Sequence, residues 1–501
     1  MSTNPVTNNN SWYYGRTIDL VFGCGLIYVF AFPLLLAIPG PDSLIAITVL
    51  ATFIAGPHYG ATYLRVVESD ASRRRYGKIA LALTVIVGAA FFVGLHSVSV
   101  GSGMAMLYLT WSPWHFSGQN YGLALMFLRR RGVTVTPLAK RVLYASFWLS
   151  FAPAVLILHS GANLDYAPVQ KSIFSVYPIV PWGIPRDVAM LLIPTFVAAY
   201  FGTLCWAGVL LLRGGSLAAI APSMLIVALQ SMWFVVPGFL FSLGFDFYST
   251  MACVPLTQSA VHSIQYLWVS SYYVKREDPT ARLVPFFAKA TLAGAAGFGA
   301  LAIFFSPGLL GNVPYDSGLA LLTASAINLH HFALDGIIWK LRDGPVSRAL
   351  LGTGATSGPA IMPPLIWRRW LRPAVFTLGA ASILISGVYV WEVRALNAAD
   401  DSRIEVGLTR LSWIGRDSAM ARQVLASRLV NRGQHRRALE EIDRSLRLLP
   451  NSAAWMVKGQ LHEKDRYWSA ALEAYDAVLK MDPTNFVAEQ RRRAVAAKIV
   501  R

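Results

Sequence analysis

Charged residues are scarce in this sequence. Asp, Glu, Lys and Arg together make up 14% of the 501 residues, and hydrophobic residues make up 55%, whereas soluble domains contain about 25% charged residues. This deficit excludes a cytosolic globular fold and a disordered scaffold, and it predicts that most of the chain lies in a bilayer. Acidic residues are scarcer than basic ones, 26 against 44. Because the basic residues fall between apolar segments, we interpret them as loop charge and expect no nucleic-acid partner.

Cysteine is rare as well. Cys24, Cys205 and Cys253 lie far apart in apolar stretches, which excludes a disulfide framework and a CxxC metal site. The first fifteen residues are polar and contain neither a basic region nor a cleavage site, so we expect that no signal peptide is removed.

Apolar runs of about 20 residues predict an all-α fold, a polytopic transmembrane helical bundle of about 11 spans followed by a small helical repeat domain. The predicted spans are 17–38, 43–64, 78–100, 102–128, 142–159, 185–212, 217–245, 248–272, 284–307, 317–339 and 373–393. The predicted division of the chain is a polar N-terminal segment 1–16, a membrane domain 17–393, a linker 394–418 and a repeat domain 419–501.

The loops alternate in charge along the chain. Basic loops follow the second, fourth, eighth and tenth spans, while the opposite loops contain almost no Lys or Arg. The positive-inside rule therefore predicts a cytoplasmic N-terminus and an extracytoplasmic tail, periplasmic if the membrane is a bacterial inner membrane. One opposite loop, 160–184, contains three prolines, which exclude a regular helix. We interpret it as an interfacial loop or a lid.

The tail contains two units spaced by 33 residues. Ala426, Ala438 and Pro450 of the first unit correspond to Gly459, Ala471 and Pro483 of the second, which also carries Trp455 and Tyr475. This pattern resembles the tetratricopeptide repeat, whose period is about 34 residues. The resemblance implies a binding site for a protein partner, and a role in packing or stability is the alternative.

Four histidines are predicted to lie at one depth in the membrane. They are about 14 residues from the outer ends of four spans that run in the same direction, which at ~1.5 Å per residue places them near the midplane. These residues are His58, His115, His262 and His330. Ionisable side chains in hydrocarbon are costly and indicate functional sites by default. A shared site is therefore one interpretation, and interhelical hydrogen bonding by each imidazole is the other.

The sequence near the last of these histidines adds two candidates. His331 follows His330 directly, and Asp335 lies four residues after His331, on the same helix face. Asp335 is placed to accept the second ring proton of a ligating histidine or to act as a ligand itself. Imidazole-rich sites suit iron, copper and zinc, and not magnesium or calcium.

Two motifs resemble a known family. PHYGAT, with His58, and SPWHFSGQN, with His115, are similar to elements of the Brp/Blh family of bacterial membrane carotenoid dioxygenases. That family binds iron(II) through histidines and cleaves β-carotene to retinal. The resemblance implies that His58, His115 and His262 bind Fe(2+), with His330 or His331 as the fourth ligand. Two positions depart from the family pattern: Thr62 replaces an acidic residue, and Tyr266 replaces the second histidine of a pair.

Three classes of function remain open from the sequence. The first is a histidine-ligated non-haem iron oxygenase that acts on a hydrophobic lipid or isoprenoid, with copper or zinc as alternative metals and Asp335 and Tyr266 as catalytic residues. The second is a proton-coupled transporter in which the same histidines relay protons. The third is a membrane glycosyltransferase or an assembly protein that anchors the repeat tail.

Overall fold

The structure, a computed structural model, describes residues 11–36, 48–68, 70–160, 176–245, 253–307, 309–339, 344–351, 367–395 and 400–499. Within these ranges the regular secondary structure is helical, apart from one isolated bridge between Pro307 and Gly311. Among the described residues, seven helices are long and apolar enough to cross a membrane. The chain is therefore an all-helical, multi-pass membrane protein, and the predicted fold class is confirmed to that extent.

The helices of the membrane domain have the following bounds. They are α1 Tyr28–Leu36, α2 Gly56–Val67, α3 Asp70–His96, α4 Val98–Arg130, α5 Pro137–His159, α6 Arg186–Leu212, α7 Leu217–Ser242, α8 Cys253–Glu277, α9 Leu283–Phe304, α10 Ala320–Ile338, α11 Gly344–Leu351 and α12 Arg372–Ala395. Single π-helical turns precede α2, α10 and α12, and another lies inside α7. The predicted outward loop 160–184 lies mostly outside the described residues, as does the start of the predicted second span.

The seven apolar helices coincide with seven of the predicted spans. Helices α4 and α8 occupy two further predicted spans, 102–128 and 248–272, but they are not among the seven. Both contain several polar residues in their middle turns, including His115 in α4 and His262 in α8. Composition alone thus does not recognise α4 and α8, whereas α10, which carries His330, His331 and Asp335, is among the seven. The count of eleven spans stays a prediction.

The predicted first span, 17–38, is not one continuous helix. A short helical turn and a π turn end at Gly23, and α1 begins only at Tyr28. Gly25, between them, has a φ of +77°, a backbone conformation that favours glycine. The fully buried carboxylate of Asp19 accepts hydrogen bonds from the indole of Trp268 and from backbone amides of the segment before it. These bonds fold the N-terminal segment against α8.

Small residues allow α2 and α9 to pack backbone to backbone. A Cβ added at Gly294 would clash with the carbonyl oxygen of Gly56, and one added at Gly60 would clash with the carbonyl oxygen of Ala290. Close approach through small residues is a common way for helices to associate in lipid, where apolar side chains gain little from leaving the bilayer. His58 lies between the two glycines of α2, so this contact holds its backbone in place.

The tail consists of six helices that pack in sequence order. They are α13 Asp401–Trp413, α14 Ala419–Asn431, α15 His435–Leu448, α16 Ser452–Lys464, α17 Trp468–Met481 and α18 Phe486–Ile499. Helix α13 falls within the predicted linker 394–418, and its apolar side chains are buried in the core of the tail. At Gly459 a Cβ would meet the ring of Tyr475, so the small residue lets α16 and α17 approach closely.

The start of the tail is attached to the C-terminal end of α9 and to the π turn before α10. Ser418 donates a hydrogen bond to Asp316 (2.6 Å), and Arg416 donates one to the carbonyl oxygen of Ala302 (3.1 Å). The guanidinium of Arg416 also lies over the ring of Tyr315, 3.6 Å from its centroid. The tail is therefore in direct contact with the helix that carries His331.

We expect Gly294→Val to destabilise the membrane domain, because its side chain has no space against the Gly56 backbone. Overpacking of this kind costs about 1–3 kcal/mol or more, and thermal unfolding of the detergent-solubilised full chain measures it. Gly88→Val is the matched control, since a Cβ at Gly88 meets nothing within 4 Å. Equal melting temperatures for the two variants would contradict the packing described here.

Candidate metal centre

Four helices each contribute one histidine to the interior of the bundle. Two of these helices follow a π turn, Ala51–Ala55 before α2 and Tyr315–Leu319 before α10, and α4 contains Pro113 in its middle. Single π turns and prolines disturb the regular hydrogen-bond ladder and are frequent near functional sites. The contributed side chains are His58 from α2, His115 from α4, His262 from α8 and His331 from α10.

The four imidazole rings form a compact group. One possible ligand atom from each ring lies within 4.8 Å of the corresponding atom of every other ring. The ring centroids are separated by 4.3 Å (His58–His331), 5.0 Å (His331–His115), 5.0 Å (His115–His262) and 4.9 Å (His262–His58). All four side chains are buried, with exposed fractions between 0% and 7%. Three of the four histidines predicted at one depth, His58, His115 and His262, thus lie together, and His331 is the fourth member of the group.

The Nε2 atoms of all four rings are buried without a hydrogen-bond partner. A buried polar atom in this state costs about 1–3 kcal/mol, and such atoms are few in native structures. Four of them on neighbouring rings indicate a shared partner that accepts four lone pairs. A metal ion satisfies this requirement, and neutral imidazole is a preferred ligand of iron, copper and zinc.

A network of polar side chains surrounds His331. The hydroxyl of Thr62 lies 3.1 Å from Nδ1 of His331, 2.5 Å from the hydroxyl of Tyr266 and 3.1 Å from Oδ1 of Asp335. Tyr266 donates a second hydrogen bond to the same carboxylate oxygen (3.0 Å). The other carboxylate oxygen lies 3.2 Å from Nε2 of His331. Asp335 is therefore close enough to the centre to serve as an additional ligand or as a proton acceptor.

Two further polar contacts lie at the other histidines. The hydroxyl of Ser263 lies 3.3 Å from Nδ1 of His58, and Gln119 donates a hydrogen bond to the backbone carbonyl of His262 (3.0 Å). A partner such as Ser263 holds the ring of His58 and its tautomer in position. Both ring nitrogens of His262 are buried without a hydrogen-bond partner.

His330 does not belong to this group, although it was predicted at the same depth. Its Nε2 lies 3.0 Å from the hydroxyl of Thr84 in α3, and its ring contacts Tyr63. Consecutive residues of an α-helix point about 100° apart around the axis, so only one of the two adjacent histidines can face the centre. The structure assigns that position to His331.

An apolar cavity of about 240 Å³ lies beside the histidine group. His115, Tyr266 and Asp335 are among its polar lining residues, and Trp114, Phe332, Leu123 and Val269 are among its apolar ones. Gly118, Gly122 and Gly336 also line it, and a Cβ at any of the three would meet nothing within 4 Å. The absence of side chains at these positions leaves this space open. A mostly apolar lining with a few polar groups is typical of a small-molecule site.

Two residues of the site, Thr62 and Trp339, were not predicted as site residues from the sequence. Thr62 stood out only as a departure from the family pattern, yet its hydroxyl contacts His331, Tyr266 and Asp335 at once. Thr62 lies four residues after His58, on the same helix face, and this spacing is the feature of the sequence from which its contact with the site could have been predicted. Trp339, whose indole donates a hydrogen bond to Tyr266 (2.8 Å), carried no signal in the sequence.

No protein-family model, curated protein or solved structure matches this chain.

The two adjacent histidines of α10 provide a test of the centre. We expect His331→Ala to lose most of the metal that the purified wild-type chain contains, because it removes one of four converging ligands. His330→Ala is the matched control and is expected to retain the metal, since His330 contacts Thr84 instead. Elemental analysis of both variants, purified in detergent, measures the difference. Equal metal content in the two variants would rule out the proposed ligand set.

Proposed function

We propose that this protein is a membrane metalloenzyme, a histidine-ligated non-haem iron oxygenase that acts on a hydrophobic lipid or isoprenoid. The observation that carries the proposal is the convergence of four buried imidazoles, each with a ring nitrogen within 4.8 Å of one from every other ring, next to an apolar cavity. Copper and zinc are the alternative metals, because imidazole ligands suit all three. Iron is preferred because a buried apolar cavity suits oxygen chemistry on a lipid-soluble substrate and offers little of the water that zinc hydrolysis requires.

In this proposal His58, His115, His262 and His331 hold the iron. The metal supplies activation of O2 for insertion into the substrate. A dioxygenase reaction places both oxygen atoms in the product, so it requires no external reductant. The apolar walls of the cavity bind the substrate and exclude water, and Phe332, stacked on His115 with centroids 4.2 Å apart, holds one ligand ring in place. Asp335 and Tyr266 hold protons beside the centre.

The proton-holding role follows from the hydrogen bonds of these two residues. Oδ1 of Asp335 accepts hydrogen bonds from Thr62 and Tyr266, while its Oδ2 faces His331. Tyr266 in turn accepts a hydrogen bond from Trp339. Both side chains also line the apolar cavity. A substrate in the cavity would therefore contact one hydroxyl and one carboxyl group as well as the metal-facing ring of His115.

Filling the cavity should abolish activity without removing the metal. We expect Gly122→Leu to reduce turnover at least about tenfold, because the new side chain occupies the substrate space. Incorporation of label from 18O2 into β-carotene and into oleate, as isoprenoid and acyl probes, measures turnover by mass spectrometry. Elemental analysis of the same sample checks that the metal is retained.

The matched control is Gly103→Leu, also in α4, where a Cβ likewise meets nothing within 4 Å and which does not line the cavity. We expect this variant to keep wild-type turnover. If wild-type protein with full metal content labels neither probe, the assignment as an oxygenase of hydrophobic substrates fails. If both glycine variants lose activity equally, the cavity is not the substrate site.

We further propose eleven spans, with the N-terminus in the cytoplasm and the tail on the far side of a bacterial inner membrane. The distribution of basic loops supports this orientation. The tail is proposed to be a tetratricopeptide-like repeat domain that binds a protein partner. Two helix pairs, α14 with α15 and α16 with α17, followed by the single helix α18, support that proposal.

Reporter fusions test the orientation. Alkaline phosphatase fused after residue 501 is expected to be active, since this enzyme matures only outside the cytoplasm. The same enzyme fused after Arg131, in the basic loop that follows α4, is expected to be inactive. The opposite pair of results would reverse the topology, and activity at both points would show that the span count is wrong.

A further inference from the structure

A second cavity lies at the end of the bundle where the basic loops follow the helices. It has a volume of about 530 Å³ and is bounded by the last turns of α2 and α8 and by the first turns of α9. Its lining differs from that of the apolar cavity because it carries several charged and hydroxyl groups. The lining residues that matter here are Arg65, Ser270, Tyr273, Arg282, Lys289 and Trp339.

Arg65 is the most unusual of these residues. Its Nη2 donates a hydrogen bond to the carbonyl of Ile338 (3.0 Å), but its Nε and Nη1 are buried without a partner. The guanidinium lies over two aromatic rings, 3.6 Å from the centroid of Trp339 and 4.1 Å from that of Tyr273. Such stacking holds the guanidinium by its faces. The donors at its edge stay available to a planar or tetrahedral anion.

Three acidic residues, Glu68, Glu277 and Asp278, also line this cavity, and Oε1 of Glu68 is buried without a hydrogen-bond partner. Tyr273 donates a hydrogen bond to Glu277, and Thr280 donates to Asp278. Glu68 lies 4.0 Å from Lys289 and 3.8 Å from Arg372.

Among the described residues, no carboxylate forms an ion pair with Arg65 or Arg282. The hydroxyl of Ser270, on the same wall and 7% exposed, is also buried without a partner. The three acidic residues balance the three basic residues of the lining, so the cavity offers an anion the unused donors of Arg65 and Ser270 and not an excess of positive charge.

We propose that this second cavity binds an anionic group, a carboxylate or a phosphate, with Arg65 as its main contact and Ser270 and Arg282 as additional donors. Both sources of such a group are accessible at this end of the bundle. A lipid headgroup reaches it from the membrane surface, and a soluble anion reaches it from the aqueous side.

The anion site is coupled to the histidine group through one side chain. Trp339 lines both cavities, stacks on Arg65 and donates a hydrogen bond to Tyr266, which in turn donates one to Asp335. An amphiphile with its acidic group on Arg65 therefore extends its chain past Trp339 toward the apolar cavity. This assignment of the amphiphile as substrate rests on the proposed function, whereas anion binding itself does not.

Binding measurements on the full chain in neutral detergent test the site. The probes are inorganic phosphate, dioctanoyl phosphatidic acid and, as the uncharged-headgroup control, dioctanoyl phosphatidylcholine. Arg65→Gln is expected to weaken binding of the anionic probes about tenfold or more, because hydrogen bonds to charged groups contribute ~1.5–3 kcal/mol. Arg213→Gln, which removes one exposed charge after α6 outside the cavity, is the matched control and should bind like the wild type.

The outcomes separate the two sources of the anion and the two proposed sites. Binding of phosphate alone supports a soluble anion, and binding of phosphatidic acid supports a lipid headgroup. Failure of both anionic probes to bind the wild type, or equal loss in Arg65→Gln and Arg213→Gln, overturns the proposal. Ser270→Ala is also expected to weaken binding of the anionic probes. It is a smaller change, and it replaces Arg65→Gln as the test variant if Arg65→Gln does not fold.

Metal content is measured on the same samples. Arg65→Gln is expected to keep the metal while losing the anion, and His331→Ala to lose the metal while keeping the anion. A chain that binds the anion but contains no metal would refute the proposed function and leave the anion site standing. A chain that contains metal but binds neither anionic probe would refute the anion site and leave the proposed function standing.

Discussion

The rest of the structure depends on one constraint: four imidazole nitrogens lie together, buried and without hydrogen-bond partners, inside an apolar bundle. In hydrocarbon such atoms must be satisfied within the protein. The hydroxyls of Thr62 and Ser263 contact Nδ1 of His331 and of His58, and Oδ2 of Asp335 lies 3.2 Å from Nε2 of His331. The helices bring one ring nitrogen of each histidine within 4.8 Å of the others, and a metal ion in the proposed centre would offset the energetic cost of burying them.

This constraint also explains how apolarity is distributed among the helices. Helices α2, α4 and α8 carry three of the four histidines of the centre, and none of them is among the seven apolar membrane-crossing helices. Helix α10, which carries His331 and Asp335, is among the seven but has the lowest mean hydropathy of them. Helices α3, α6 and α12 are strongly apolar and mostly exposed on the surface of the bundle. Hydropathy therefore identifies the outer helices well, α10 weakly, and the other three helices of the centre not at all.

The depth of His58, His115 and His262 follows from the sequence because the rise of a helix per residue is constant. Their lateral convergence does not, because it depends on which helices are neighbours, and that is decided by contacts such as Gly294 against Gly56. The choice between His330 and His331 depends on the rotation of α10 about its axis. The break at Gly25 depends on the tertiary hydrogen bonds of Asp19. The apolar cavity forms where Gly118, Gly122 and Gly336 face the same space, and the sequence does not show that these three glycines lie together.

The backbone contact between α2 and α9 has a mechanical consequence for the centre. Side chains at an ordinary helix interface change rotamers and absorb small displacements, but Gly56, Gly60 and Gly294 have no side chains to move. The backbone at His58 is therefore held rigidly by this contact, and Nδ1 of His58 lies 3.3 Å from the hydroxyl of Ser263 on a different helix. A ligand set of this rigidity resists the changes in bond length that accompany a change in oxidation state. The fold would then influence the redox potential of a bound metal through stiffness, and not through charge.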